Sequence, residues 1–324
     1  MRTEITERFY RTYTYQGVDR VPDVEFGYWP QTIRRWLAEG MPLELTPEET
    51  NNMFSRKIDE FFGFEHEGTG LPISVGMNPP FEEEIIERKA SSVVMRTPDG
   101  IVAERFLNDS DNSSIPHFLK FPVETPDDWQ AMKQRYRADD PVRAISDERL
   151  AEVRTAQGDG KMISVFICGF YGQLRHWMGM ENLSYAFYDM PDMIHDMVET
   201  WTDLVLAQLD GVGDDIPIDM VSWWEDMAGR NGPLVSPAVF REFLQPGYHR
   251  VMTAAKKRGC AISIVDCDGN PHDIVANWLE EGVNIMFPLE VAAGVDPYAW
   301  REEFGMDLRL RGGIRKSLVT LGAE

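Results

Sequence analysis

The chain has 324 residues, with 32 lysines and arginines against 54 aspartates and glutamates, a formal net charge of −22. That excess repels polyanions and excludes nucleic acids and anionic membrane surfaces as natural partners, while 43 % hydrophobic and 11 % aromatic residues suffice for a large core and exclude a disordered chain. Three cysteines, Cys168, Cys260 and Cys267, make no disulfide framework and point to a reducing, cytoplasmic setting, and the charged, aromatic first residues resemble neither a secretory signal nor a membrane anchor.

In chain order, residues 21–27 read as a short strand, followed by a helix over 31–39 with apolar spacing Ile33, Trp36 and Leu37, ended by Gly40. Pro47-Glu48-Glu49 opens a second helix that stops at Gly63, with acids in its first turn. Between 81 and 107, β-rich runs flank Thr97-Pro98-Asp99-Gly100, the composition of a hairpin turn, and predict an antiparallel excursion. From about residue 160 apolar runs at 162–167, 218–223, 261–265, 284–288 and 308–310 alternate with helical segments at 191–209, 237–258, 271–281 and 297–304. Buried strands separated by helices predict an α/β fold with a parallel sheet, and the number of repeats favours one (β/α)₈ TIM barrel spanning 1–324 over an open sheet. Only ten residues follow Ile314, too few for the last β/α unit of such a barrel. Lys256-Lys257-Arg258, the longest basic cluster, sits at a helix end where cations complement the helix dipole.

A barrel carries its chemistry where strands end and loops begin. At the end of the third of these runs, Asp266 and Asp268 alternate onto one face and Cys267 onto the other, with Gly269 permitting the turn that follows. Two carboxylates on one face bind a cation, accept strong hydrogen bonds or share a proton. Glu225 and Asp226 follow the indoles Trp223 and Trp224 at another strand end, where burial against Trp suits a carboxylate to donate a proton. Glu290 ends a further strand, and Tyr171 and His176 follow the strand ending at Cys168. Candidate catalytic residues are therefore Glu225, Asp226 and Glu290, candidate metal ligands Asp266 and Asp268, and candidate substrate contacts Trp223, Trp224, Tyr171, His176 and Trp29. No dinucleotide fingerprint, P-loop or nucleophile elbow is present.

The order and spacing of Arg20-Val21-Pro22, Trp223-Trp224-Glu225-Asp226, Ser236-Pro237-Ala238-Val239-Phe240, Asp266-Cys267-Asp268-Gly269, Pro288-Leu289-Glu290 and Gly312-Gly313-Ile314 resemble the uroporphyrinogen decarboxylase superfamily. The resemblance implies a distorted (β/α)₈ barrel with its pocket at the C-terminal mouth, and barrels that often pair as homodimers. True decarboxylases of that superfamily carry paired arginines and a glutamine-alanine-glycine run near the N-terminus. Here the corresponding stretch reads Phe26-Gly27-Tyr28-Trp29-Pro30-Gln31-Thr32-Ile33-Arg34-Arg35 and lacks that run.

The cobalamin-dependent methyltransferase branch has a zinc-binding His-x-Cys-Gly where this chain has Asp266-Cys267-Asp268-Gly269, so the resemblance puts Asp266 in the place of the His and Asp268 in that of the Cys. The third ligand would fall beyond residue 324. Hard carboxylates suit an oxygen-ligated divalent metal, zinc or another, or a proton held for a departing oxygen. The expected activity is methyl transfer between a small methylated donor and a corrinoid carried by a separate protein, because this chain has no corrinoid-binding signature of its own. The alternatives are a porphyrinogen-type decarboxylase, and a non-catalytic binding protein holding a small cation among Trp223, Trp224 and Trp29.

Overall fold

A computed structural model describes residues 2–66, 68–107, 115–319 and 321. In chain order its strands are β1 (Thr69–Gly70), β2 (Glu84–Arg88), β3 (Ser92–Arg96), β4 (Val102–Phe106), β5 (His117–Lys120), β6 (Ile163–Cys168), β7 (Met220–Trp224), β8 (Ala228–Gly229), β9 (Gly232–Pro233), β10 (Ile262–Asp266), β11 (Ile285–Phe287) and β12 (Arg309–Leu310). Six of them form one parallel sheet in the order β1-β6-β7-β10-β11-β12. The helices Pro191–Gly211, Gln245–Lys257, Val275–Glu281 and Pro297–Phe304 fall between its strands, as the alternation in the sequence predicts. The fold is α/β, with β1 and β12 as the sheet's two edges; eight strands closed into a ring are not seen among the described residues.

The two faces of the sheet are chemically different because side chains alternate along each strand. On β6, Ile163, Val165 and Ile167 are fully buried in the main core beneath the helices, whereas Ser164, Phe166 and Cys168 turn to the opposite face. Val221 and Trp223 on β7, and Val265 on β10, repeat the pattern. Each such side chain taken out of water contributes roughly 1.5–3 kcal/mol before entropy, so register is firmly held. The opposite face is closed at the strands' N-terminal ends, where Phe9 and Tyr13 of helix Glu4–Tyr13 pack on Met220, Ile262 and Ile285. That N-terminal segment also reaches the sheet's β12 edge: the Tyr15 hydroxyl donates to the Leu308 carbonyl at 2.8 Å, and Arg309 Nε donates to the Tyr13 carbonyl at 2.8 Å.

The excursion forms as expected and extends further than residue 107, as a four-stranded antiparallel sheet β2-β3-β4-β5 reaching Lys120. Its turn is made by Gly100, whose N–H donates to the Thr97 carbonyl at 2.8 Å and whose φ of 81° favours glycine. Residues 21–27 form no strand; Glu65 holds that segment instead, accepting from Arg20 and from the Asp23 N–H while pairing with Arg8. The helix expected over 47–63 is two, Pro47–Thr50 and Arg56–Phe62, the first closed by a Thr46/Glu49 capping box. The helix expected over 237–258 passes through a π turn at Phe240–Leu244 just before Pro246, which has no N–H to continue the ladder. No helix among the described residues is long and apolar enough to cross a membrane.

Candidate functional site

At the C-terminal ends of the parallel strands a cavity of about 880 Å³ opens on the face that the core leaves free. Its floor follows from register: Cys168 pairs with Trp224, Trp224 with Asp266, and Asp266 with Phe287. Asp266 thus has an indole on one side and a phenyl ring on the other, both from neighbouring strands. Burial in this setting pushes its carboxyl up to about 7; repulsion from Asp268 and Asp226 acts in the same direction, and Arg311 opposes it. Asp268, one turnward step further, is also raised, first by burial and then by Glu290 and Asp226, with Lys316 opposing. The carboxylates therefore hold protons more tightly than free aspartate does.

Asp226 is fixed by a different device. Its φ of 42° is unusual for a residue with a side chain, and Arg175 holds it there, donating from Nη1 both to the Asp226 carbonyl at 2.8 Å and to its carboxylate at 2.9 Å. The same guanidinium lies 4.9 Å from the Trp224 ring centroid, while His176 stacks on Trp224 at 5.1 Å. Burial, and then the charge of Arg175, hold the His176 imidazole below its ordinary value, so it is neutral near pH 7.

The structure brings together some of the sequence candidates and separates others. Asp226, Asp266, Asp268, Trp224 and His176 line the cavity. Glu225 does not: it is fully buried behind the sheet, where its carboxylate accepts from the Gly172 N–H at 2.8 Å and from the Tyr248 hydroxyl. Burial pushes Glu225 up to about 7, against the pull of Tyr248 and the N–H groups of Gly172, Phe170 and Tyr171. It anchors the start of helix Phe170–Met178, which carries Arg175 and His176 to the cavity. Trp223 borders the cavity but is 1 % exposed, donating its indole N–H to Ser263 and packing on Phe170 and Tyr248. Tyr171 is wholly buried, and Trp29 lies outside the cavity wall beside helix Pro30–Ala38. Glu290 accepts from the Gly269 N–H at 2.9 Å and supports the turn that carries Asp268.

No group of three or more His, Cys, Asp or Glu side chains is arranged to hold a metal ion among the described residues. Residues that the sequence did not single out complete the cavity. Phe26, Phe54 and Phe166 form an exposed aromatic rim. His66 faces Asp59 at 3.5 Å through Nδ1, its Nε2 is buried without a partner among the described residues, and Asp59 accepts from the Tyr28 hydroxyl at 2.7 Å. His66 adjoins Glu65, so the ion-pair clamp on Glu65 also sets its place. Only proximity in space identifies those from residues 21–66, which show no strand-end pattern, whereas Phe166 lies on β6.

Fold and cavity together define an α/β protein with a candidate site at the carboxyl ends of its parallel strands. No protein-family model matches the chain, and no curated protein gives a significant match. Among solved structures it is similar to a methyltransferase from Methanosarcina mazei, with 15 % identity and a TM-score of 0.53 over 94 % of this chain and 81 % of that one. A chitinase from Rhizomucor miehei covers 45 % of this chain and 44 % of its own, at 16 % identity and a TM-score of 0.24, which carries no argument. At 15 % identity the first likeness establishes a common fold.

Proposed function

We propose that the protein is a methyltransferase component of the uroporphyrinogen decarboxylase-like barrel class, moving a methyl group from a small methylated donor to a corrinoid presented by a separate protein. The observation that carries this reading is Asp266, a carboxyl group that holds its proton up to about pH 7 between Trp224 and Phe287 on the cavity floor. The fold shared with a methyltransferase supports it. So does the exposed rim of Phe26, Phe54 and Phe166, which fits the approach of a flat, apolar-faced cofactor.

A corrinoid, when bound, supplies a low-valent cobalt nucleophile for the methyl group. The chain's own residues act on the other half of the donor. Asp266 delivers its proton to the departing oxygen as the carbon–oxygen bond breaks, so that an alcohol rather than an alkoxide leaves, and water in the cavity returns a proton to Asp266. Asp226 and Asp268 keep Asp266 protonated by like-charge repulsion. Trp224 and Phe287 keep bulk water from its flanks.

The decarboxylase alternative requires a cationic pocket for a polycarboxylate. The cavity instead presents Glu25, Asp59, Glu65, Asp226, Asp266 and Asp268 against Arg56 and Arg311. A cation cage of three indoles is not assembled either, because Trp223 is buried, Trp29 lies elsewhere and Trp224 already carries Arg175. The test is to mix the protein with reduced cobalamin and a panel of methyl ethers, methylamines and methyl thioethers, following the loss of Co(I) absorbance. Methyl transfer that falls by about 100-fold or more in Asp266→Asn supports the reading; transfer from no donor, or an unaffected variant, overturns it.

A further inference from the structure

Beside the main cavity lies a second, partly open chamber of about 490 Å³, between the antiparallel sheet and helix Phe170–Met178. Thr97, Ile101 and Ala103 face it from the sheet, and Gln173 and Trp177 from the helix. Phe166, Cys168 and His176 border both spaces, so the two chambers share a wall. This volume lies within the range of small-molecule sites.

The chemistry of the lining is selective. Tyr136, Trp177 and Trp201, all nearly or fully buried, make an apolar floor, whereas Phe118 and Phe166 are exposed rings in its wall. Its charged residues, Asp99 and Arg105, have opposite signs, so the chamber favours no ionic ligand. Of its neutral polar groups, the Thr97 hydroxyl donates to the Ile101 carbonyl and His176 stacks on Trp224, which leaves the amide of Gln173. Gln173 is 7 % exposed and lines the chamber from helix Phe170–Met178.

We propose that this chamber is a second binding site, for an uncharged planar ring of about benzene size with one hydrogen-bonding substituent. Phe118 and Phe166 offer faces for the ring, and Gln173 reads the substituent through its carbonyl or its NH₂. The assignment goes beyond the methyl-transfer reading and depends on binding alone.

Titration calorimetry with phenol and with benzene tests it on the full chain. Phenol is expected to bind the parent. Gln173→Leu should weaken phenol by about tenfold or more while leaving benzene unchanged or tighter, because the lost partner matters only to the hydroxyl. Ala103→Phe, which places a ring inside the chamber, should abolish binding of both. If that variant does not fold, the phenol-against-benzene contrast in Gln173→Leu still decides. The absence of phenol binding by the parent, equal weakening of both ligands by Gln173→Leu, or undiminished binding by folded Ala103→Phe would overturn the proposal.

Discussion

Asp266 and Trp224 are register partners on the adjacent parallel strands β10 and β7, both turned into the cavity. The pairing is a consequence of strand geometry, yet it sets the chemistry. An indole beside a carboxyl group removes water from one flank, and Phe287 on β11 does so on the other. Burial is accordingly the largest cause of the rise of Asp266 to about 7, with the neighbouring acids second.

The activity should therefore follow the protonated form of Asp266. Methyl transfer to reduced cobalamin is expected to hold steady below about pH 7 and to fall as pH rises through that value, losing about tenfold per pH unit once the proton is gone. Asp266→Asn should abolish this descending limb together with most of the rate. A parent profile that stays flat across neutrality would remove Asp266 as the proton donor.

Stability should carry the same signature with a defined sign. Asp266 rises from 3.8 to about 7 in the folded state, so the folded protein binds the extra proton between those values. Its stabilising share is complete below the unfolded value and is lost as pH rises toward 7. Asp266→Asn should match the parent near about pH 4 and exceed it by about 2 kcal/mol near about pH 8, a figure that allows for screening by cavity water. Carboxylates that do not interact with Asp266 cancel in the difference between the two proteins, and Asp226 and Asp268 are relieved of its repulsion in the variant, which acts in the same direction. Urea unfolding of both across this range measures it, and a difference that does not grow with pH contradicts the assignment.

The same alternation explains both what could be read from the chain and what could not. Strand period alone puts Asp266 and Asp268 toward the cavity and Cys267 into the core, and the structure agrees. Applied one residue past Trp224, it sends Glu225 behind the sheet and Asp226 into the cavity. Treating Trp223-Trp224-Glu225-Asp226 as one cluster hides that split. His66, Phe26 and Phe54 were invisible for another reason. They sit on irregular chain positioned by ion pairs such as Arg8–Glu65, whose partners are far apart in sequence and follow no period. The parallel strands and the helices from 160 onward were legible because burial imposes a period there, whereas closure into a barrel is set by strand pairing that no period encodes, and the π turn and the divided 47–63 helix arise from local backbone detail.

Glu225 predicts a steric coupling. A Cβ on Gly169 would lie 2.1 Å from the Glu225 carboxyl carbon, in a region with no room to yield. Gly169→Ala should destabilise the fold by about 1–3 kcal/mol. Glu225→Ala should also destabilise, because the Tyr248 hydroxyl and the Gly172 N–H lose their acceptor. The double variant should lose less than the two single losses combined, since truncating Glu225 removes the clash. Strict additivity in chemical denaturation would mean that the two residues do not meet.

The last prediction concerns Arg175, which holds Asp226 and covers Trp224 at the same time. Replacing it with methionine keeps the length and apolar body of the side chain but removes the cation. Burial would still depress His176, while the repulsion from Arg175 would vanish, so the His176 imidazole should titrate at higher pH in Arg175→Met than in the parent. Imidazole proton resonances followed through a pH titration give the direction directly. The freed indole face should also acquire affinity for tetramethylammonium that the parent lacks, because Arg175 itself occupies the cation position over Trp224. If the parent already binds that cation as well as the variant does, Arg175 is not the occupant in solution, and the cation-binding alternative regains its site.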